Sequence, residues 1–312
     1  MNSSSPTGKP FDTPVLFLAY NRPELTERVF SAIRKRKPKK LFISADGPSE
    51  NKPNDVEKCK QVRAILSNVD WDCDIKYLFR EKNIGAGLAV SQSISWMFDH
   101  VSEGIILEDD CLPSDTFFDF MAFALDKFRE NNSIMHINGT NFLRNRKFNF
   151  TGTFYYSKLA HPWGWATWKR AWKHFDFDMS NLAEFKQLEK IKNLTSKPEH
   201  QNYYLNLFEL TTKGRFDSWD FQWVYTILNL NCNVITPVKN MVTNIGFGAQ
   251  ATHTTYLRTR IGGMKRNEIH EFRPPISENT HRKADDFSIS MNLLEGKYSL
   301  LERIIYRIKG II

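Results

Sequence analysis

Cysteine is scarce in this chain. Cys59, Cys73, Cys111 and Cys232 are scattered, with no CxxC pair and no zinc-like spacing. Reduced thiols in a cytosolic protein are the simpler reading. Long apolar runs are also missing: nothing approaches the ~18 residues that a spanning helix needs. The start, "MNSSSPTGKPFDTP", is polar, and "VLFLAY" is too short for a signal h-region or a membrane span. A cytoplasmic location is therefore expected, and the sequons at Asn138 and Asn193 need not mean glycosylation. There is no internal repeat and no low-complexity tract, which favours a single main domain with a C-terminal extension over two domains.

What is present is an ordinary globular composition with a basic bias. The 312 residues are 41% hydrophobic and 25% charged, enough for one large α/β domain with a sizeable core. A formal net charge of +8 and a pI near 9.2 favour anionic partners such as nucleotides, phosphorylated lipids or a membrane surface. Nucleic acid would suit the charge, but the aromatics lie in apolar clusters rather than interleaved with Lys and Arg, so no nucleic-acid partner is expected.

The first half alternates strand and helix patterns. "PVLFLAY" (14–20), "KLFISAD" (40–46), "DIKYLF" (74–79) and "GIIL" (104–107) read as buried strands. Between them run helical segments, two with capping-box spacing (Asn21 with Glu24, Asn54 with Glu57) and one placing Val90, Ile94, Met97 and Phe98 on a single face. Repeated βα units predict an α/β fold with a mostly parallel sheet and helices on both faces. Ligands of such sheets bind beyond the carboxyl ends of the strands, where Asn21–Arg22, Asp46–Gly47 and Glu108–Asp110 all fall. The second half is less regular and aromatic-rich. In it Trp165, Trp168 and Trp172 follow i, i+3, i+7 spacing and are expected on one helical face, as core.

Each strand-tip motif admits two readings. Glu108, Asp109 and Asp110 suit Mg²⁺ or Mn²⁺ held against a diphosphate, and equally suit a solvated helix start. Asp46 before Gly47–Pro48 is an Asx-turn or an acceptor for a base or ribose hydrogen. Asn21–Arg22 is a cap with a surface charge or an anion site at a helix head. Together the three outline a cradle for a nucleoside diphosphate.

Four motifs in order, "ILEDDCLPSDTFFDF", "WGWATWKRAW", "SWDFQW" and "GFGAQATH", resemble inverting glycosyltransferases of the GT-A fold, closest to the N-acetylglucosaminyltransferase I type. The likeness runs from residue 14 to about 255. It implies a GT-A, Rossmann-like domain over 1–260, with a nucleotide-binding half at about 14–110 and an acceptor-side half at about 111–260, followed by an extension over 261–312. It implies Asp110 as ligand of Mn²⁺ or Mg²⁺, Glu108 and Asp109 near ribose and sugar, Arg22 at the phosphates and Asp46 at the base. Tyr20, Asn21, Asn83 and Gly85 fall on the same nucleotide-sugar side, and Asp220 is the implied catalytic base, with Asp217 a distant second. The family carries two acids after its Trp, whereas here Phe221 follows Asp220. Where the family has bulky polar residues after strand three, this chain has Asn83, Gly85 and Gly87.

The expected activity is metal-dependent, inverting transfer of a hexosyl or N-acetylhexosaminyl unit from a UDP-sugar to a glycan or lipid-linked acceptor, in bacterial surface-polysaccharide or lipopolysaccharide synthesis. A sugar nucleotidyltransferase is the alternative, but "AYNRPEL" stands where its Gly-rich phosphate loop would follow strand one. A non-catalytic sugar-nucleotide-binding protein would need no base. Trp219 would pack on the donor sugar or in the core, and His253 would close as a lid or stay an exposed loop residue. Trp163 and Trp165, flanking Gly164, would stack on the acceptor. "RKRKPKK" (34–40) reads as a solvated helix end or a contact for anionic lipid. The apolar periodicity of 299–312 predicts a helix that docks on the domain or lies on an anionic membrane surface.

Overall fold

The computed structural model describes residues 11–144, 146–246 and 263–295. His253 and the 299–312 segment lie outside them. The order is β1 (Val15–Ala19), α1 (Pro23–Arg36), β2 (Lys40–Ala45), α2 (Asp55–Leu66), β3 (Asp74–Phe79), α3 (Ala86–Phe98), β4 (Glu103–Glu108), β5 (Cys111–Pro113) and α4 (Phe117–Lys127). Then come β6 (Ile134–Asn138), β7 (Phe154–Ser157), β8 (Trp165–Trp168), α5 (Lys169–Trp172), α6 (Leu182–Gln187), α7 (Pro198–Thr212), α8 (Asp220–Asn229), β9 (Asn233–Pro237), β10 (Val242–Asn244) and α9 (Arg282–Glu295).

Eight strands form one sheet in the order β3-β2-β1-β4-β8-β6-β9-β7. The run β3 to β4 is parallel, β8 and β7 run against it, and β9 is parallel to β6. The expected mostly parallel sheet is present. Side chains alternate across it and build two cores. Val15, Phe17, Leu41, Ile43, Ile105 and Leu107 face α1, α2 and α4. Leu16, Leu18, Phe42 and Ile106 face α3, α7 and α8. Strands buried on both faces need continuous apolar runs, which is why "VLFLA" and "GIIL" read as they do.

The aromatic stripe is corrected. Residues 165–168 are not helical; they form β8, antiparallel to β4 with Ile106 opposite Trp165 and Glu103 opposite Trp168. Strand alternation therefore sends Trp165 into one core and Trp168 into the other. Neither proposed capping box forms, since no side chain caps α1 or α2. Arg34, Lys35 and Arg36 pair with Asp70, Asp115 and Asp119, so much of the basic run is spent on the domain's own acids.

The extension packs onto the domain over its described part. Glu268 accepts the Thr116 N–H and hydroxyl at 2.8 and 2.7 Å at the start of α4. Ile269 and Phe272 join one core and Ile289 of α9 the other. The four cysteines are free thiols. Among the described residues no helix is long and apolar enough to cross a membrane.

Candidate active site

Parallel β1, β2, β3 and β4 end at the same edge of the sheet, so the segments that follow them converge there. Arg22, the residue before α1, bonds Asp109 through Nη2 and Asp110 Oδ2 through Nη1 at 2.9 Å. The Tyr20 N–H donates to the other Asp109 oxygen at 3.3 Å. Burial pushes the Asp109 carboxyl up, with Asp110 adding to it and Arg22 opposing, to about 6. Burial would lower the Arg22 guanidinium, but Asp109, Asp110 and Glu108 outweigh it and hold Arg22 charged. Glu108 is held well above the usual carboxylate range by burial, then by the charges of Asp110, Asp109 and Asp220.

A second layer covers this cluster. β10 pairs with β5, bringing Asn244 opposite Cys111, and the Ile245 N–H donates to the Asp110 carbonyl at 2.8 Å. Gly246 then crosses so close that a Cβ would lie 2.5 Å from Asp110 Oδ2 and 2.9 Å from Arg22 Nη1. No larger residue fits there without moving the pair.

Asp46, at the tip of β2, is buried and accepts the Gly47 N–H and the Asn83 amide, both at 2.9 Å, and the Ile84 N–H at 3.3 Å. Burial raises its pKa despite those donors. The Asp46 and Asn83 side chains are thus tied to each other rather than held out singly. Tyr20 and Asn21 turn to a residue that the sequence reading missed. Asp55 of α2 takes the Tyr20 hydroxyl at 2.5 Å, the Asn21 amide, and the Ser49 N–H at 2.6 Å. Burial opposes ionisation of Asp55, yet these donors, Asn21 and Tyr20 foremost, hold its pKa below the ordinary value. Asp55 was read only as part of a helix start, and its buried position had no separate signal.

In the second half of the chain, Asp220 begins α8 and accepts the Ser218 hydroxyl. Trp219 before it is buried and stacks on Trp165 at 5.2 Å between centroids, and Trp165 stacks on His136 at 4.7 Å. The Trp223 indole donates to His136 Nδ1 at 3.0 Å, which leaves Nε2 to donate to Asn138 at 2.7 Å. His136 is therefore the neutral Nε2–H tautomer, and burial pushes it down to about 3. Asp220 also lines a small cavity with His136, Ala160, His161, Pro162, Trp219 and Trp223. His161, which opens "HPWGW", is likewise lowered to about 3 by burial. Neither His136 nor His161 stands in a motif that marks it in the sequence.

Trp165 has no exposed surface, so the expectation that it stacks on an acceptor is corrected: its faces are taken by Trp219 and His136. Trp219 packs in the same core. Trp163 is half-buried with its ring edge-on to Phe142, and keeps an accessible part. Asn138, one of the sequons, is fully buried and hydrogen-bonded to Leu159 and Thr236. Asp217, the second base candidate, spends both carboxylate oxygens on backbone amides at the head of α3. Among the described residues no group of three or more His, Cys, Asp or Glu side chains is gathered to hold a metal ion.

No protein-family model matches the chain, and no curated protein matches it by sequence. Among solved structures, residues 1–349 of TarS from S. aureus align over 74% of this chain and 59% of their own length, at 12% identity and a TM-score of 0.39. A UDP-glucose pyrophosphorylase complexed with UDP-glucose aligns over 72% of this chain and 90% of its own, at 10% identity and a TM-score of 0.36. HddC from Yersinia pseudotuberculosis aligns over 51% of this chain and 77% of its own, at 9% identity and a TM-score of 0.30. At these scores the likenesses assign neither activity nor ligand.

Proposed function

We propose that the chain is an inverting, metal-dependent glycosyltransferase. It moves a hexosyl or N-acetylhexosaminyl unit from a nucleoside-diphosphate sugar, a UDP-sugar by expectation, to a glycan or lipid-linked hydroxyl. Its setting in bacterial surface-glycan assembly rests on the family resemblance alone. The observation that supports the reading is geometric: the segments after β1, β2, β3 and β4 converge at one sheet edge, and the segment that leads into Asp220 is bonded there through Asp217 to the head of α3.

Asp109 and Asp110 offer hard oxygen donors, and the Arg22 guanidinium already stands between them as a cation. That donor set fits Mn²⁺ or Mg²⁺, which take one or two protein carboxylates and fill the remaining positions with phosphate and water. Asp110 would hold the ion, and when bound it would offset the charge that builds on the leaving diphosphate. Arg22, at the head of α1, supplies a second positive charge to the same group. Asp220 accepts the proton of the acceptor hydroxyl as that oxygen attacks the anomeric carbon from the face opposite the diphosphate. The Trp165 indole stacked on Trp219 and the Ser218 hydroxyl hold the base in place. Trp163 offers an aromatic surface for the acceptor.

A panel of nucleotide sugars tested with and without Mn²⁺ checks this reading. Donor hydrolysis or transfer with inverted anomeric configuration, together with metal-dependent thermal stabilisation, is the expected result. Release of pyrophosphate from a nucleoside triphosphate and a sugar phosphate would instead mark a nucleotidyltransferase.

A further inference from the structure

The glycines where the chain departs from the resembling family have a partner 130 residues away. Ala86 N–H donates to Asp217 Oδ2 at 2.7 Å and Gly87 N–H to Oδ1 at 2.8 Å, a two-pronged clasp on the head of α3. A Cβ on Gly85, whose φ is +86°, would meet Asp217 Oδ2 at 2.7 Å. A Cβ on Gly87 would meet the Ser218 carbonyl oxygen, also at 2.7 Å. Both glycines therefore make room for the segment that carries Asp217 and Ser218. That segment leads directly into the proposed base. The Ser218 hydroxyl donates to Asp220, and its carbonyl accepts the Gln222 amide at 2.7 Å. On the other side, the turn before Gly85 is held by Asp46, which accepts from Asn83 and Ile84. The turn at 83–87 is thus clamped between an acid of the nucleotide side and one of the acceptor side.

We infer that Asp217 is a positioning residue: by fastening the 217–220 segment to the head of α3, it sets Asp220 relative to the donor. This rests on the proposed transfer reaction. Asp217 is not itself a second base in this account, because both its oxygens are engaged by backbone donors. A group displaced by about 1 Å can lose on the order of a hundredfold in rate without losing binding.

The test compares wild-type protein with Asp217→Ala, Asp217→Asn and Gly87→Ala, using the donor identified by the panel. Asp217→Ala is expected to lower kcat about tenfold to a hundredfold while the donor KM stays within about twofold of wild type. Asp217→Asn keeps one acceptor oxygen and falls between the two. Gly87→Ala pushes on the Ser218 carbonyl oxygen at 2.7 Å and on Asp217 Oδ1 at 3.0 Å, and lowers kcat as well. Hydrogen exchange at the Ala86 and Gly87 amides accelerates in Asp217→Ala, reporting release of the clasp. Faster exchange there with unchanged kcat would reduce Asp217 to a helix cap and overturn the inference, as would a raised KM at unchanged kcat. If Asp217→Ala fails to fold, Asp217→Asn and Gly87→Ala decide by the same readings. Wild-type protein that transfers no sugar would overturn the proposed function instead, and the positioning role with it.

Discussion

Arg22 Nη1 lies 2.9 Å from Asp110 Oδ2 while its other terminal nitrogen bonds Asp109. One guanidinium thereby compensates two adjacent acids at the end of a buried strand, and this resolves the conflict that "EDD" poses in the sequence. The three side chains are unequal: Asp109 is 2% exposed, Asp110 14% and Arg22 18%. Asp109 depends most on its partner. Arg22→Ala is expected to destabilise the fold by about 3 kcal/mol, the scale for stranding a buried charge. Denaturant midpoints would check this, and Arg22→Lys should recover part of the loss.

Asp110→Ala leaves Asp109 with Arg22, so the fold should keep most of its stability. Donor binding should lose its dependence on Mn²⁺ in this variant. Calorimetric titration of the nucleoside diphosphate with and without the ion is the check. A variant that still responds to the metal as wild type does would remove Asp110 from the ligand set.

Gly246→Ala adds one methyl group where Asp110 and Arg22 leave no space. Either the pair or the crossing segment must shift, because the contact is at 2.5 Å. The expected outcome is weaker metal-dependent donor binding by about tenfold, roughly 1.4 kcal/mol, at a nearly unchanged denaturation midpoint. Alanine at an exposed position such as Lys265 should leave binding unaffected.

Asp285 gives the docked extension a pH signature. It is 1% exposed and accepts the Ser157 hydroxyl at 2.6 Å and the Lys158 N–H at 2.9 Å. Burial, with Asp286 nearby, pushes its carboxyl up from 3.8 to about 7, although Ser157 and Lys158 oppose the shift. A carboxyl raised in the folded state favours folding below its unfolded pKa and loses that contribution as pH rises through its folded value. Stability from this group is therefore full below about pH 4 and gone above about pH 7. Asp285→Asn should stabilise the protein at pH 8 relative to wild type and flatten the slope between pH 5 and 8. Denaturation midpoints at the two pH values measure it. Equal slopes in both proteins would contradict the assignment.

Much of the first half is legible because its strands are buried on both faces and must read as apolar runs. Val15, Phe17, Leu41 and Ile43 alternate with Leu16, Leu18 and Phe42, and that alternation also predicts helices on both sides. Trp165, Trp168 and Trp172 misled by their spacing. Pairing with β4 and β6 overrides the helical periodicity, and such pairing is a tertiary fact. The strand-tip acids were visible as a cluster, but their partners were not. Asp55 resembles any acid in a first helical turn, and only the fold turns it toward Tyr20, Asn21 and Ser49. Gly85 and Gly87 stood out as departures whose reason, the approach of Asp217 and Ser218, is a contact between distant segments.

The central claim is that Asp220 removes a proton from the acceptor during transfer. Asp220→Asn keeps the shape of the side chain and its bond to Ser218 while abolishing the base. Single-turnover transfer and equilibrium donor binding, measured on the same preparation, test it most directly. The expected result is a transfer rate lowered by about 10² or more with donor affinity within about twofold of wild type. Transfer at the wild-type rate, or donor binding lost while turnover persists, would contradict it and place the base elsewhere.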